Sequence, residues 1–262
     1  MASSSHDCNS PSPIPFRIHN SNQPIKQRLF LAPPQPTINQ YPMPRKNTKS
    51  SYTSHLHDSK SGYAKYAQAY DQTAKHLNSF EKNIIPSLVP DLDNKHLVDL
   101  GAGTGRIFDI LKQRELIKPS TNLTAIDLSP EMLEQLTKKH PQAEAIEANI
   151  ESIPLPDESA DVVTAAFVIV HLKFLDKAFA EIARILKPGG TLILTNINQR
   201  KAPKLKTPQG EEIVIKSHYH IPKHVIQALE YEFFTITNEE FTYEPGVKDQ
   251  EIWVNQIIKA IK

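Results

Sequence analysis

The 262-residue chain has one cysteine, one tryptophan and eight glycines, and it has no long apolar run. Each scarcity excludes something. Cys8 alone cannot form an internal disulfide or a thiolate zinc cage, so no such staple holds the fold. The longest unbroken apolar stretch, Ala165 to Val170, is six residues, far below the roughly 20 that a membrane span needs. Excess charge of one sign is missing too: 30 Lys and Arg stand against 29 Asp and Glu. A chain so balanced offers no global basic field to nucleic acid, although a local groove would escape this count.

The balance conceals an uneven distribution. Residues 1–60 hold seven basic and two acidic groups, a net of +5, and the remaining 202 residues carry a net of −4. Nine of the 21 prolines precede residue 45. From Ser3 to Ser59 the chain is rich in Ser, Pro, Asn and Gln, and its apolar residues follow no period. Such a segment cannot bury enough surface to offset the entropy of ordering. The expectation is a disordered basic tail over residues 1–58 and a single domain over 59–262, long enough for one hydrophobic core. No secretory apolar core occupies the first 30 residues, which points to the cytoplasm. The Ser-rich, acid-poor start also overlaps with organellar targeting segments, so an organelle after cleavage of the tail is the alternative.

From residue 95 onward, short apolar runs alternate with segments of helical period. His96–Leu100 reads as a buried strand, breaks at Gly101-Ala102-Gly103-Thr104-Gly105, and continues as a helix through Gln113 with Ile107, Ile110 and Leu111 on one face. Leu123–Asp127 is a second strand. Ser129 then caps a helix with Pro130 at its first position and Glu131 in its first turn. Ala143–Ala148 reads as a third strand, and Asp161–Val170 as a fourth, buried on both faces. Phe179, Ile182, Ala183 and Leu186 mark a helix that Lys187-Pro188-Gly189-Gly190 stops, and Thr191–Thr195 is strand five. A helix over 222–230 and a closing hairpin near 235–242 and 252–260 complete the pattern. Strand–helix alternation predicts an α/β fold: a Rossmann-like three-layer sandwich, seven-stranded and mostly parallel, with a C-terminal antiparallel hairpin.

Sheets of this kind bind ligands beyond the carboxyl ends of their strands. Gly101, Gly103 and Gly105 lie there, where missing side chains let a ligand approach backbone amides. A tight structural turn would need similar glycines. The spacing is not G-x-G-x-x-G, which disfavours a dinucleotide site. Asp127 ends strand two and can accept both hydroxyls of a ribose; entry into the Ser129 turn is the plainer role. Asn149 and the amide of Ile150 follow strand three and could read an adenine edge, or simply form a turn.

These segments together carry a family resemblance. Val98–Gly105 resembles the signature loop of class I S-adenosylmethionine-dependent methyltransferases of the small-molecule type. Ile126–Leu133 is similar to their second motif, and Asn149–Asp157 with Asp161-Val162-Val163 to their third. Glu181–Gly190 is similar to their helix-to-strand junction. The motif-dense core is 96–196. The resemblance implies S-adenosylmethionine as cofactor, with Asp99, Gly101, Ala102, Gly103 and Gly105 shaping the methionine side. It also implies ribose binding by Asp127, adenine packing by Leu128, an adenine contact by Asn149 and Ile150, and a place for Phe167 near the sulfonium. Asn149 departs from the aspartate that many members carry.

The acceptor is less legible. His171 follows strand four, close to the acceptor in similar enzymes, where an imidazole could serve as base; a capping or buried histidine is the alternative. Tyr63, Tyr66 and Tyr70 share a helical face that resembles the lid of small-molecule methyltransferases, or packs as a plain amphipathic helix. His218 and His220 lie in an insertion from which related enzymes build acceptor pockets, and polar lining fits them better than a metal, for which no ligand set recurs. A small-molecule oxygen, nitrogen or carbon acceptor is expected. A catalytically silent cofactor-binding regulator or scaffold, and an enzyme acting on protein or RNA, stay open as alternatives.

Overall fold

The computed structural model describes residues 55–81, 83–243 and 253–262. The tail expected over residues 1–58 lies almost wholly outside them, as do Cys8 and the link between the last two strands. The elements run β1 His55–His57, α1 Ser59–Tyr70, α2 Ala74–Ser79, α3 Ile85–Leu88, β2 His96–Leu100 and α4 Arg106–Gln113. They continue with β3 Asn122–Asp127, α5 Pro130–Lys139, β4 Glu144–Glu147, β5 Ala160–Ala165, α6 Asp176–Ile185 and β6 Leu186–Ile197. The series closes with β7 Lys204–Lys206, β8 Glu212–Ile215, α7 Pro222–Tyr231, β9 Thr235–Tyr243 and β10 Trp253–Ile261.

Seven strands form one sheet in the order β4-β3-β2-β5-β6-β10-β9. All neighbours are parallel except β10, which runs antiparallel to both β6 and β9. Because successive side chains of a strand point to opposite faces, adjacent residues serve different layers. Val98, Val163, Leu192 and Ile258 pack with Phe179 and Ile182 of α6 and Leu229 of α7. Their neighbours Leu97, Val162, Ile193 and Ile257 pack with Phe108 and Leu111 of α4 and Leu136 of α5. A fully buried Phe179 contributes about 1.5–3 kcal/mol relative to an exposed one. The chain order reverses between β2 and β5, so the carboxyl ends of β2, β3 and β5 flank the topological switch.

Local chemistry sets the helix ends. Ser129 Oγ accepts the amide of Met132 at 3.3 Å and donates to Glu131 Oε2 at 2.9 Å, starting α5. Lys138 and Lys139 fall in its last turn, where cations complement the dipole.

Two strand boundaries differ from the sequence expectation. The fourth strand ends at Ala165 rather than Val170, and Ile169–His171 is a 3-10 turn. Phe167, at φ +57°, turns the chain out of the sheet. The run Lys187-Pro188-Gly189-Gly190 does not separate helix from strand but lies inside β6. There Gly189 donates to Lys262 O at 3.0 Å and Lys262 donates to Gly190 O at 3.1 Å.

A second sheet was not foreseen. β1 runs parallel to β8, which pairs antiparallel with β7. Tyr66 and Ala69 of α1 bury against Ile213 and Ile215 of β8. Gly62 makes that contact possible: a Cβ there would lie 2.6 Å from Ile215 Cγ1. The insertion between β6 and α7 thus carries α1 on its back. No helix among the described residues is long and apolar enough to cross a membrane.

Candidate active site

The loop from β2 to α4 is built on left-handed backbone. Gly101, Gly103 and Gly105 have φ of +64°, +54° and +85°, conformations that cost an L side chain roughly 1–2 kcal/mol. Space is restricted as well. A Cβ at Gly101 would sit 2.5 Å from Val168 Cγ2, and one at Gly105 would sit 2.8 Å from the ring of His140. Gly101 and Gly103 therefore shape a cavity wall, while Gly105 lets the loop pack on a buried histidine.

Asp127, at the end of β3, accepts the Gly103 amide on Oδ2 at 2.8 Å and the Ser129 amide on Oδ1 at 2.9 Å. Burial raises its pKa, and the amides of Ser129, Gly103 and Leu128 pull the other way. Each carboxylate oxygen accepts more than one hydrogen bond, so capacity for a ligand hydroxyl remains. Asp99 is buried within β2, takes the Thr164 hydroxyl on Oδ1 at 2.6 Å, and leaves Oδ2 without a partner among the described residues. Burial pushes its carboxyl up to about 7.

Beneath the loop lies a buried ion pair. Arg106 Nη1 meets Glu81 Oε2 at 2.7 Å, and its guanidinium stacks 4.8 Å from the centre of the Phe167 ring. Glu81 also accepts from Asn255 at 3.1 Å. Thr104 donates to Asp71 Oδ1 at 2.5 Å, fastening the end of α1 to the loop.

One cavity, partly open to solvent, lies at the switch. Its lining brings together Gly101, Gly103, Asp127, Leu128, Asn149, Ile150, Phe167, Tyr63, Tyr70 and His171. Ser59, Met132, Val168 and Leu172 join them. Asp99, Ala102, Gly105, Tyr66, His218 and His220 do not line it. Asn149 Oδ1 accepts the Glu151 amide at 3.0 Å in a turn, so within the cavity wall it is also a turn former. His220 Nε2 lies 3.0 Å from the carbonyls of both Ile169 and Leu172, and the His218 amide donates to Val170 O at 2.7 Å. These two histidines brace the 3-10 turn that presents His171.

His171 Nε2 lies 2.9 Å from the Tyr63 hydroxyl, and its Nδ1 lies 3.2 Å from Lys216 O. Burial lowers its pKa, so the ring is neutral at physiological pH. Among the described residues no group of three or more metal-ligating side chains comes together.

The sequence reading missed the Arg106–Glu81 pair, the Asp71–Thr104 latch and the β7–β8 insertion. Tyr70-Asp71 before the sheet and Arg106 directly after the glycines were the signals at hand, but partners 25 or more residues away leave no local pattern.

A family model described as a methyltransferase domain matches residues 98–194. Over those residues the chain carries a methyltransferase domain, in keeping with its resemblance to the class I S-adenosylmethionine-dependent enzymes. The chain is 26% identical over 255 residues to an uncharacterized protein of Methanocaldococcus jannaschii, covering 81% of this chain and 97% of that one. It is 35% identical over 102 residues to demethylmenaquinone methyltransferase of Chlamydia trachomatis, covering 38% of this chain and 43% of the relative. The match thus spans less than half the length of that named relative. A solved S-adenosylmethionine-dependent methyltransferase from Aquifex aeolicus superimposes with a TM-score of 0.56 at 17% identity, over 74% of this chain and 97% of that one, a likeness of fold.

S-adenosylmethionine, the cofactor that the matched domain implies, fits the cavity on two observations. Gly101 and Gly103 line the cavity with bare backbone, and a carboxylate held by amides faces it at Asp127.

Proposed function

We propose that this protein is a methyltransferase that moves the methyl group of S-adenosylmethionine to a small-molecule acceptor held in the same cavity. The observation that carries the reading is the shared lining: Gly101, Gly103, Asp127 and Leu128 face one space with Tyr63, Phe167 and His171. The name of the demethylmenaquinone methyltransferase supports a small acceptor, and so does a cavity walled by α1.

In this reading Asp127 holds the ribose and Leu128 packs on the adenine. Gly101 and Gly103 leave room for the methionine side, and Ile150 offers an amide to the base. When bound, the cofactor supplies a methyl group made electrophilic by its sulfonium, so the protein has mainly to align a nucleophile and keep water out. Tyr63, Tyr70 and Phe167 provide apolar walls. His171, neutral and fixed in orientation, accepts the acceptor's proton if one must leave. Asn149 contributes to the adenine end through its position, with its carbonyl oxygen engaged by Glu151.

The test is transfer of a labelled methyl group. The full chain, incubated with methyl-labelled cofactor and a deproteinised, nuclease-treated cell extract, is expected to label a compound of low molecular mass. Label appearing only when protein or RNA is retained in the extract would overturn the small-molecule assignment.

A further inference from the structure

The pair formed by Tyr63 and His171 has a direction. Lys216 O can only accept, so His171 Nδ1 carries the ring proton and Nε2 presents a lone pair. The Tyr63 hydroxyl, 2.9 Å away, therefore donates to Nε2, and its own oxygen lone pairs remain open to the cavity. His220 and the His218 amide hold the turn at Ile169, Val170 and Leu172. An edge-on contact of 5.2 Å between the Tyr63 and His171 rings fixes the partner.

The surroundings select the acceptor. His171 faces His218, which itself lies near Lys216, Lys173 and His220. Tyr63 faces Tyr66, Tyr70 and Asp127, and both oxygens of Asp127 are engaged by backbone amides. A carboxylate acceptor has no proton to give and would find no Lys or Arg among the described lining residues. A neutral hydroxyl that gives up its proton as it reacts gains from the proton acceptor. The walls beside it, Tyr63, Tyr70, Phe167 and Leu172, suit a flat ring.

Resting on the methyltransferase reading, we propose that Tyr63 is a second catalytic residue, relaying a proton from acceptor to His171. The acceptor it serves is a hydroxyl on an aromatic or enolic ring. Burial pushes the Tyr63 phenol far above its ordinary range, so Tyr63 acts by passing protons and not as a standing phenolate. The acceptor O–H proton moves to Tyr63 Oη while the Tyr63 proton moves to His171 Nε2. The freed electron pair on the acceptor oxygen forms the bond to the methyl carbon, and the electrons of the broken carbon–sulfur bond stay on sulfur. Products are the methyl ether, S-adenosylhomocysteine and an imidazolium that returns its proton to solvent.

The experiment uses the full chain saturated with S-adenosylhomocysteine and 4-nitrophenol as the acceptor probe, whose ionised form absorbs visible light. About one pH unit below the probe's own pKa, the bound probe is expected to show at least a fivefold larger phenolate fraction than the free probe. Tyr63→Phe and His171→Asn are each expected to abolish that excess while still binding S-adenosylhomocysteine. A bound probe that stays neutral, or a Tyr63→Phe signal equal to wild type, overturns the relay. Binding of S-adenosylhomocysteine without any binding of 4-nitrophenol overturns the acceptor class and leaves the methyltransferase reading standing. Failure of the wild-type chain to bind S-adenosylhomocysteine overturns that reading, and the relay with it.

Discussion

Gly103 donates its amide to Asp127 Oδ2 at 2.8 Å, so one hydrogen bond joins the glycine loop after β2 to the end of β3. The Ser129 amide holds the other oxygen at 2.9 Å. The carboxylate is oriented before any ligand arrives, and a group held in advance loses little freedom on binding.

The glycine loop gives a paired prediction. Gly101→Ala places a Cβ 2.5 Å from Val168 at a backbone angle of φ +64°, so the loop must shift. Calorimetry should show at least tenfold weaker binding of S-adenosylhomocysteine. Gly189→Ala has the same left-handed demand, φ +77°, but no atom within 4 Å of the new Cβ. It should cost stability alone, roughly 1–2 kcal/mol in urea denaturation, with cofactor affinity unchanged.

The Arg106–Glu81 pair is buried on both sides, at 6% and 0% side-chain exposure. Arg106→Met leaves the Glu81 charge uncompensated, and the expected loss is about 3–5 kcal/mol of unfolding free energy. The double variant Arg106→Met/Glu81→Leu should recover more than half of it. A double variant no more stable than the single one would show that the pair is not the source of the loss.

Asp99 predicts a pH dependence. With its carboxyl pushed up to about 7 by burial, the folded protein keeps a proton that the unfolded chain releases near 3.9. The folded state then binds more protons than the unfolded one, so stability falls as pH rises from about 4 to about 7 and levels off above. Asp99→Asn should flatten that part of the curve and gain on wild type between pH 5 and pH 8. Parallel curves for the two proteins would contradict the assignment.

Much of the fold was legible because its elements announce themselves locally. Ser129-Pro130-Glu131 starts a helix by capping chemistry, and Val98-Asp99-Leu100 leads into glycines at a strand end. The misread boundaries share one cause. Ala165–Val170 is uniformly apolar, so nothing in its pattern says that Phe167 leaves the sheet at φ +57°. Pro188-Gly189-Gly190 reads as a break, yet the final strand supplies hydrogen bonds at Gly189 and Gly190 that keep it extended. The small sheet was hidden because His55–His57 pairs with residues 213–215, far along the chain. Ile213-Val214-Ile215 was its one visible sign. Within the site, single residues at strand ends could be picked out, but the Tyr63–His171 bond spans 108 positions and belongs to the tertiary structure alone.

The most direct test of the central claim, that this cavity binds S-adenosylmethionine through Asp127, is a calorimetric titration of the full chain with S-adenosylhomocysteine. Wild type should bind one equivalent, and Asp127→Ala should bind at least tenfold more weakly, a difference of about 1.4 kcal/mol. Equal affinities would remove Asp127 from the site, and absence of binding to the wild type would contradict the account as a whole.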